Sequence, residues 1–287
     1  MIKLSLPGFF EKHKYVMSFL EYYNNHRAFF YNDRIIDSFY GTDYRLIWLG
    51  GRSVYPLDLY DIEDLFADLE PYPEIKIRHT FTNCLITEPI VKDYMCNLFV
   101  KKYIRPQDEV IINHPLLLKH FKKEYPKIPI VYSTTLDIKN IDKVNKITET
   151  NMYVVNYNYN NDKEYLQQLQ HPNNIELICA EPCIPNCPNR TKHYTSISKD
   201  VLNISFDDDD IIECPFKADM HTFNELMQLP HAITNERLKE LEKQGFENYK
   251  ISGRSIKVPQ WLDTILYYLA LPKYIDFIRE QLLNEWW

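Results

Sequence analysis

The sequence predicts a (β/α)8 barrel of the TIM type with an N-terminal helical extension and C-terminal helices, and three observations lead there. Eight short apolar runs rich in β-branched residues recur along the chain, and helical stretches separate most of them. No strand candidate is followed by the glycine-rich phosphate loop that favours an open dinucleotide-binding sheet. Right-handed crossovers between parallel strands leave either a closed barrel or a doubly wound sheet, and the number eight favours the barrel.

Taken in order, residues 1–44 read as an extension, with FEKHKYVMSFLEYYNNH as its helix. The barrel is expected over 45–255. Its strand candidates are RLIWLGG (45–51), EIKIRHTFTN (74–83), DEVIINH (108–114), IPIVYSTT (128–135), NMYVVNYN (151–158), NIELICAE (174–181), DIIECPF (210–216) and NYKISGR (248–254). Helical character falls on 88–103, 114–126, 162–171, 220–230 and 235–245. The remainder, 256–287, closes the expected single domain (1–287), with two apolar helices over 261–287 joined near Pro272. DDDD at 207–210 reads as a solvated turn before the seventh strand, since an Asp run without alternating spacing rarely wraps calcium.

Composition narrows the function classes. With 45% hydrophobic and 25% charged residues over 287 positions, the chain has the make-up of a globular protein able to fold without staples. A net charge of −7 argues against a chain built to neutralise nucleic-acid phosphates, though a local basic groove is compatible with it. The N-terminus lacks the apolar core of a signal peptide, and no apolar run approaches the roughly 18 residues of a membrane span. A cytoplasmic protein without membrane contact is therefore expected. Its six cysteines would be reduced thiols: buried, metal-ligating or catalytic. With only six glycines, each one kept marks a position that needs backbone freedom.

A barrel places its chemistry at the C-terminal ends of the strands and in the loops beyond them. The stretch CAEPCIPNCPNRTKHY (179–194) falls there. Cys183 and Cys187 are spaced C-x3-C in a proline-rich loop, and Cys214 would arrive from the next strand. Soft thiolates select iron–sulfur clusters, zinc or copper(I). The C-x2-C knuckles of structural zinc are absent, and cysteines dispersed on neighbouring elements suit a 4Fe–4S cluster better, with Cys84 at the end of the second candidate strand as fourth ligand. Zinc is the alternative. The C-x3-C-x2-C signature of radical enzymes is not met. Cys96, mid-helix, and Cys179, inside a strand, read as buried thiols. The same residues also admit a plainer reading as structural thiols, or a catalytic cysteine paired with His193.

IELICAEPCIPNCPNRTKHY, with ECPFK at 213–217 and GFENYKISGRS at 245–255, resembles the peptidase U32 family, also called collagenase-like proteases. Lys250, Ile251, Gly253 and Arg254 are similar to that family's late-strand pattern, Gly245 to the glycine ending the preceding helix, and WLGG (48–51) to an early glycine pair. Tyr267, Tyr268 and Tyr274 match its tyrosine-rich helical stretch. The resemblance implies a TIM-like barrel, in many members a 4Fe–4S cluster held by four cysteines, and in several an oxygen-independent hydroxylation rather than proteolysis. Cys183, Cys187 and Cys214 carry over as ligands. The fourth ligand has no clear match, and the family's cysteine spacing is usually longer.

The other polar residues have functional and structural readings side by side. Arg190 and His193, three apart, share one face of a helical turn, suited to an anion clamp and an acid–base group; alternatively Arg190 pairs with a rim carboxylate. Lys250 and Arg254 point to one side of the last strand, where they bind an anion or form an internal ion pair with Glu181 or Glu213. Asn83, Asn156 and Ser133 end strands, where they meet substrate or cap loops. Arg52 follows the glycine pair, and Glu181 ends its strand, both at the rim. No nucleophile elbow and no H-E-x-x-H occur. The sequence thus points to an iron–sulfur-dependent, oxygen-independent redox modification of a small molecule, nucleobase or peptide, with an electron-donor protein and a homo- or heterodimer as expected partners. A peptidase-like hydrolase and a non-enzymatic accessory protein with a structural metal are the rivals.

Overall fold

The computed structural model describes residues 1–52, 56–147, 152–204, 212 and 222–287. Eight parallel strands close into a barrel in sequence order: β1 (Ile2–Pro7), β2 (Arg34–Gly41), β3 (Lys76–Phe81), β4 (Glu109–Ile112), β5 (Ile130–Tyr132), β6 (Met152–Val154), β7 (Ile175–Cys179) and β8 (Asn248–Ile251). β8 pairs back onto β1 through Lys3–Asn248, Leu4–Tyr249 and Ser5–Lys250, which completes the ring and leaves no open edge. The TIM-like class is therefore established.

Helices wrap the ring: α1 (His13–Asn25), α2 (Ile62–Ala67), α3 (Glu88–Val91), α4 (Tyr94–Tyr103), α5 (Pro115–Glu124), α6 (Ile141–Asn145), α7 (Lys163–Gln167), α8 (Arg190–Val201), α9 (Phe223–Met227) and α10 (Asn235–Glu242). α11 (Val258–Leu269) and α12 (Ile275–Trp286) are the two expected C-terminal helices, hinged through a 3-10 turn at Pro272–Tyr274. No helix among the described residues is long and apolar enough to cross a membrane.

Two expectations are corrected. The N-terminal helical extension is not an extension: residues 1–44 supply the first two barrel strands, with the expected helix as α1 between them. IKLSLP alternates as a strand should, and Ile2, Leu4 and Leu6 are fully buried. RLIWLGG (45–51) is not a strand. Its apolar side chains Leu46, Trp48 and Leu49 are buried from a loop instead, with the Trp48 indole donating to the Ile90 carbonyl at 2.8 Å. A buried apolar run satisfies burial alone, and periodicity cannot tell a packed loop from a strand. The expected seventh strand (210–216), with Glu213, Cys214 and the DDDD run, lies outside the described residues apart from Ile212.

Alternation along the strands divides the interior from the helix layer. Leu4, Leu6, Phe39, Ile77, Phe81, Val110, Leu177, Cys179, Tyr249 and Ile251 belong to the large core shared with the helices. Tyr40, Ile111, Val131, Met152, Val154 and Ile178 form a second cluster inside the ring. Toward the N-terminal ends, the interior holds a charged layer rather than an apolar one. Arg78 donates to Glu109 at 2.8 Å, to Glu176, and to Asp37 at 3.3 Å, while Lys76 approaches Asp37 and Glu109 at 3.3 and 3.5 Å. Arg78 and Glu176 are shielded from solvent, so each charge depends on its partners.

Candidate functional site at the barrel mouth

At the C-terminal ends of the strands the interior opens into a cavity of about 70 Å³. Its polar lining comes from Arg52, Thr80, Thr82, Ser133, Thr134, Thr135, Glu181, Arg190, Tyr194, Lys250, Ser252 and Arg254, over a floor that includes Tyr40, Ile111 and Ile178. At roughly 10–15 Å³ for each water, such a space takes a few waters or a ligand of a few heavy atoms. A wider groove of about 630 Å³ runs along α4 and α5, but it lies on the helix layer, away from the strand ends. Position at the strand ends makes the smaller cavity the candidate site.

Local backbone sets the groups in place. Gly50 lies against the chain after β3, where an added Cβ would sit 2.3 Å from the Thr82 carbonyl oxygen, so only glycine fits. That approach, with the Asn83 amide donating to the Trp48 carbonyl at 3.0 Å, brings Arg52 to the rim. On the opposite side Ala180 takes φ 51°, an αL turn directly after β7 that swings Glu181 into the mouth. His231 holds the turn from behind, its Nε2 2.9 Å from the Glu181 carbonyl, and the Asn160 amide donates to the carbonyls of Ile178 and His231.

Glu181 is the carboxylate of the cavity. It receives the Arg52 guanidinium at one oxygen and the Ser252 hydroxyl, at 2.9 Å, at the other. Burial pushes its carboxyl up, but the Arg52 and Arg190 charges and Ser252 outweigh it and keep the group ionised. Arg254 donates to the Thr80 hydroxyl at 3.2 Å and faces Glu11 at 3.7 Å, and the Lys12 ammonium donates to its carbonyl. Burial raises the Glu11 carboxyl against the opposing Arg254 and Lys12 charges, and burial lowers Lys12 to about 8.

Two cations have no such partner. Arg190, first residue of α8, lies over the rings of Tyr157 and Tyr194, at 4.3 and 5.3 Å from their centres. Among the described residues it meets no carboxylate within ion-pair distance, and its buried Nε has no hydrogen-bond partner. The Lys250 amine stands 3.7 Å from the centre of the Tyr40 ring, with no ion pair or hydrogen bond among the described residues. Burial, helped by Arg254 and Arg78 and opposed by Glu176 and Glu181, lowers it to about 7.

Of the residues singled out in the sequence, Arg52, Ser133, Glu181, Arg190, Lys250 and Arg254 line this one cavity. The internal ion pair expected as an alternative for Lys250 and Arg254 does not form with Glu181, whose partner is Arg52. Asn83 is a loop brace, donating to the Ile47 carbonyl and accepting from the Leu85 amide, both at 2.9 Å. Asn156 caps a turn by accepting from the Asn158 amide at 3.0 Å and donates to Asp137; it borders a neighbouring rim cavity together with Cys187. His193 sits on the exposed part of α8 and does not line the site; partial burial, then the Arg52 and Arg190 charges, lower its imidazole.

Cys84, Cys183 and Cys187 share no common metal site among the described residues, although Cys187 adds to the charge that Cys183 feels. Cys183 packs on the inner cluster beside Tyr157, whose hydroxyl donates to the Ile184 carbonyl at 2.7 Å and braces the loop. Burial and the Glu181 charge raise the Cys183 thiol, with Arg52 and Arg190 opposing. Cys84 is taken up by α8: its amide donates to the Ser198 hydroxyl at 3.0 Å, and its sulfur lies 3.3 Å from the same oxygen. Among the described residues no three His, Cys, Asp or Glu groups converge as a metal site. Cys214 lies outside the described residues. Cys96 and Cys179 are buried, as expected.

Sequence reasoning missed Tyr40, Thr80, Glu11 and Lys12. Tyr40 and the Glu11–Lys12 pair went with the strands hidden in the supposed extension; the alternation of IKLSLP was the available signal. Thr80 lay inside a recognised strand, but nothing in the sequence marked its face as the mouth.

No family model and no curated protein matches this sequence. Among solved structures, that of the U32 peptidase Mk0906 is similar in fold, with a TM-score of 0.55 over 88% of this chain and 94% of that one, at 14% identity. At that identity the likeness shows the barrel fold and carries no residue roles.

Proposed function

We propose that the barrel mouth is the active site of an enzyme acting on a small anionic molecule, one bearing a carboxylate or phosphate group. The supporting observation is Arg190: a guanidinium at the cavity wall with no carboxylate partner among the described residues and a buried Nε left without an acceptor. Around it the lining carries Arg52, Arg254 and Lys250 as further basic side chains against Glu181, the single lining carboxylate among the described residues. A ligand anion supplies the missing acceptor, and guanidinium groups match planar oxyanions geometrically.

Thermal unfolding at constant ionic strength tests this reading. Phosphate or a small carboxylate is expected to raise Tm above matched chloride, since a ligand binding only the folded state stabilises it by an amount that grows with the logarithm of its concentration once that exceeds Kd. Arg190→Met should abolish the rise. Equal Tm in every anion would overturn the proposal.

The redox modification expected from the cysteine loop is a narrower form of the same reading. Cys183 stands at the rim, within the electrostatic reach of Arg190. A cluster there depends on Cys214 joining it. Iron and sulfide analysis of anaerobically purified protein, beside Cys183→Ala and Cys214→Ala, decides: iron lost in both variants supports the redox role. Iron-free protein, with no absorption near about 400 nm of the thiolate-to-iron kind, removes it and leaves the anion site standing.

A further inference from the structure

Lys250 is the one amine lining the cavity among the described residues, and it differs from the guanidinium groups beside it in being able to act as a nucleophile. Its strand position turns it inward, since its neighbours Tyr249 and Ile251 belong to the outer core. β8 is paired on both sides, with Ile178 and Ser5 as the Cα partners of Lys250, so the base of the side chain is fixed by two strands. The amine lies on the face of Tyr40, whose own hydroxyl is committed to the Ile251 carbonyl at 2.8 Å. No carboxylate neutralises it among the described residues, although Glu181 lines the same cavity; that carboxylate is occupied by Arg52 and Ser252. Amines serve as nucleophiles when they are desolvated, kept from carboxylates and set beside other cations. The lowered basicity of Lys250, to about 7, follows from the same surroundings.

Resting on the anion-binding reading, we infer that Lys250 forms an imine with a small 2-oxo acid whose carboxylate is held by Arg190 and Arg254. The amine nitrogen adds its lone pair to the keto carbon, and the carbonyl oxygen takes up a proton. Loss of that oxygen as water, carrying both former amine hydrogens, leaves the C=N bond; one proton from solvent at the open rim makes it an iminium. No oxidant or reductant is consumed. The cavity of about 70 Å³ suits a three-carbon acid better than a sugar or nucleotide. The iminium then draws electrons from the adjoining carbon, which is the use such lysines have in breaking or making a bond there.

Pyruvate is the probe. The intact protein is incubated with pyruvate and sodium cyanoborohydride, then digested and mapped by mass spectrometry, while Tm is followed in parallel without reductant. The expected result is a gain on the Lys250 peptide equal to pyruvic acid less one oxygen atom, with labelling of Lys250 at least about tenfold above the exposed lysines and suppressed by Lys250→Arg or by excess phosphate. Mapping on the unsubstituted protein keeps the outcome independent of whether the variant folds. A pyruvate-dependent Tm rise with no label on Lys250 overturns the imine while the anion site stands. No Tm rise with any anion, and no label, overturns both.

Discussion

Arg78 and Arg190 are guanidinium groups of the same barrel, one toward the N-terminal ends of the strands and the other at the mouth, and their surroundings differ in kind. Arg78 has three carboxylates, Glu109, Glu176 and Asp37, and is almost wholly shielded from water. Arg190 has two tyrosine rings and no carboxylate in ion-pair range among the described residues. Carboxylates on three strands lock Arg78 in the lower layer, because a buried charge that loses its partner carries an uncompensated desolvation cost. Incomplete pairing at the mouth, among the described residues, is what the proposed anion site rests on. The difference teaches where to expect function: at charges the fold positions without neutralising.

The comparison is broken most strongly by Arg78→Met. It leaves Glu176 buried and unpaired, and the expected loss is about 3–5 kcal/mol in equilibrium denaturation. A loss under about 1 kcal/mol would mean the lower layer is not the structural lock described. Gly50→Ala comes next, since its Cβ would meet the Thr82 carbonyl. Overpacking against backbone costs about 1–3 kcal/mol, with weakened anion binding expected as Arg52 shifts.

Lys250→Met sharpens the contrast in the opposite direction. The folded protein holds this amine at about 7, below its ordinary 10.5, against Glu176 and Glu181 on one hand and Arg254 and Arg78 on the other, with Tyr40 beneath it. Between those two pH values the unfolded chain binds the extra proton, so the stability contributed by this position rises with pH across that window. Below pH 7 the penalty of the charged amine is full. The variant should therefore exceed the parent by at least about 1 kcal/mol at pH 6, with the gain shrinking toward pH 10, as read from unfolding curves at the two pH values. Arg190→Met is the smallest in stability: stacking on Tyr157 and Tyr194 is lost, about 0.5–1 kcal/mol, together with part of the charge that holds Glu181 ionised, which Arg52 and Ser252 still support, while anion-dependent stabilisation disappears. A variant that loses several kcal/mol would place Arg190 with Arg78 after all.

Much of the mouth was legible before the fold. Arg52, Ser133 and Glu181 were identifiable because strand ends in a barrel face one rim, Lys250 and Arg254 because they point to one side of the last strand, and Arg190 because it follows the cysteine loop on a helical turn. Asn83 and Asn156 were read by the strand-end rule, and His193 by its three-residue spacing from Arg190, and all three sit elsewhere. A strand-end residue can turn into its own loop as easily as into the mouth, as the contacts of Asn83 with Ile47 and Leu85 show. The cysteine loop does border the barrel mouth, through Arg190 and Tyr194 just beyond it, but spacing could not tell that Cys84 would be engaged by Ser198 on α8.

The sequence by itself determined the alternation of strands and helices, the two C-terminal helices and the polar character of the strand ends. Those follow from local periodicity and turn chemistry, which act over a few residues. Only the tertiary structure decided which eight segments close the ring, admitting IKLSLP and RIIDSFYG and excluding RLIWLGG. It also decided that Arg52 takes Glu181 while Arg190 and Lys250 meet no carboxylate in ion-pair range among the described residues. Closure and charge pairing join residues more than a hundred positions apart. Their energies depend on burial and distance in space, and neither is written in any short stretch of the chain.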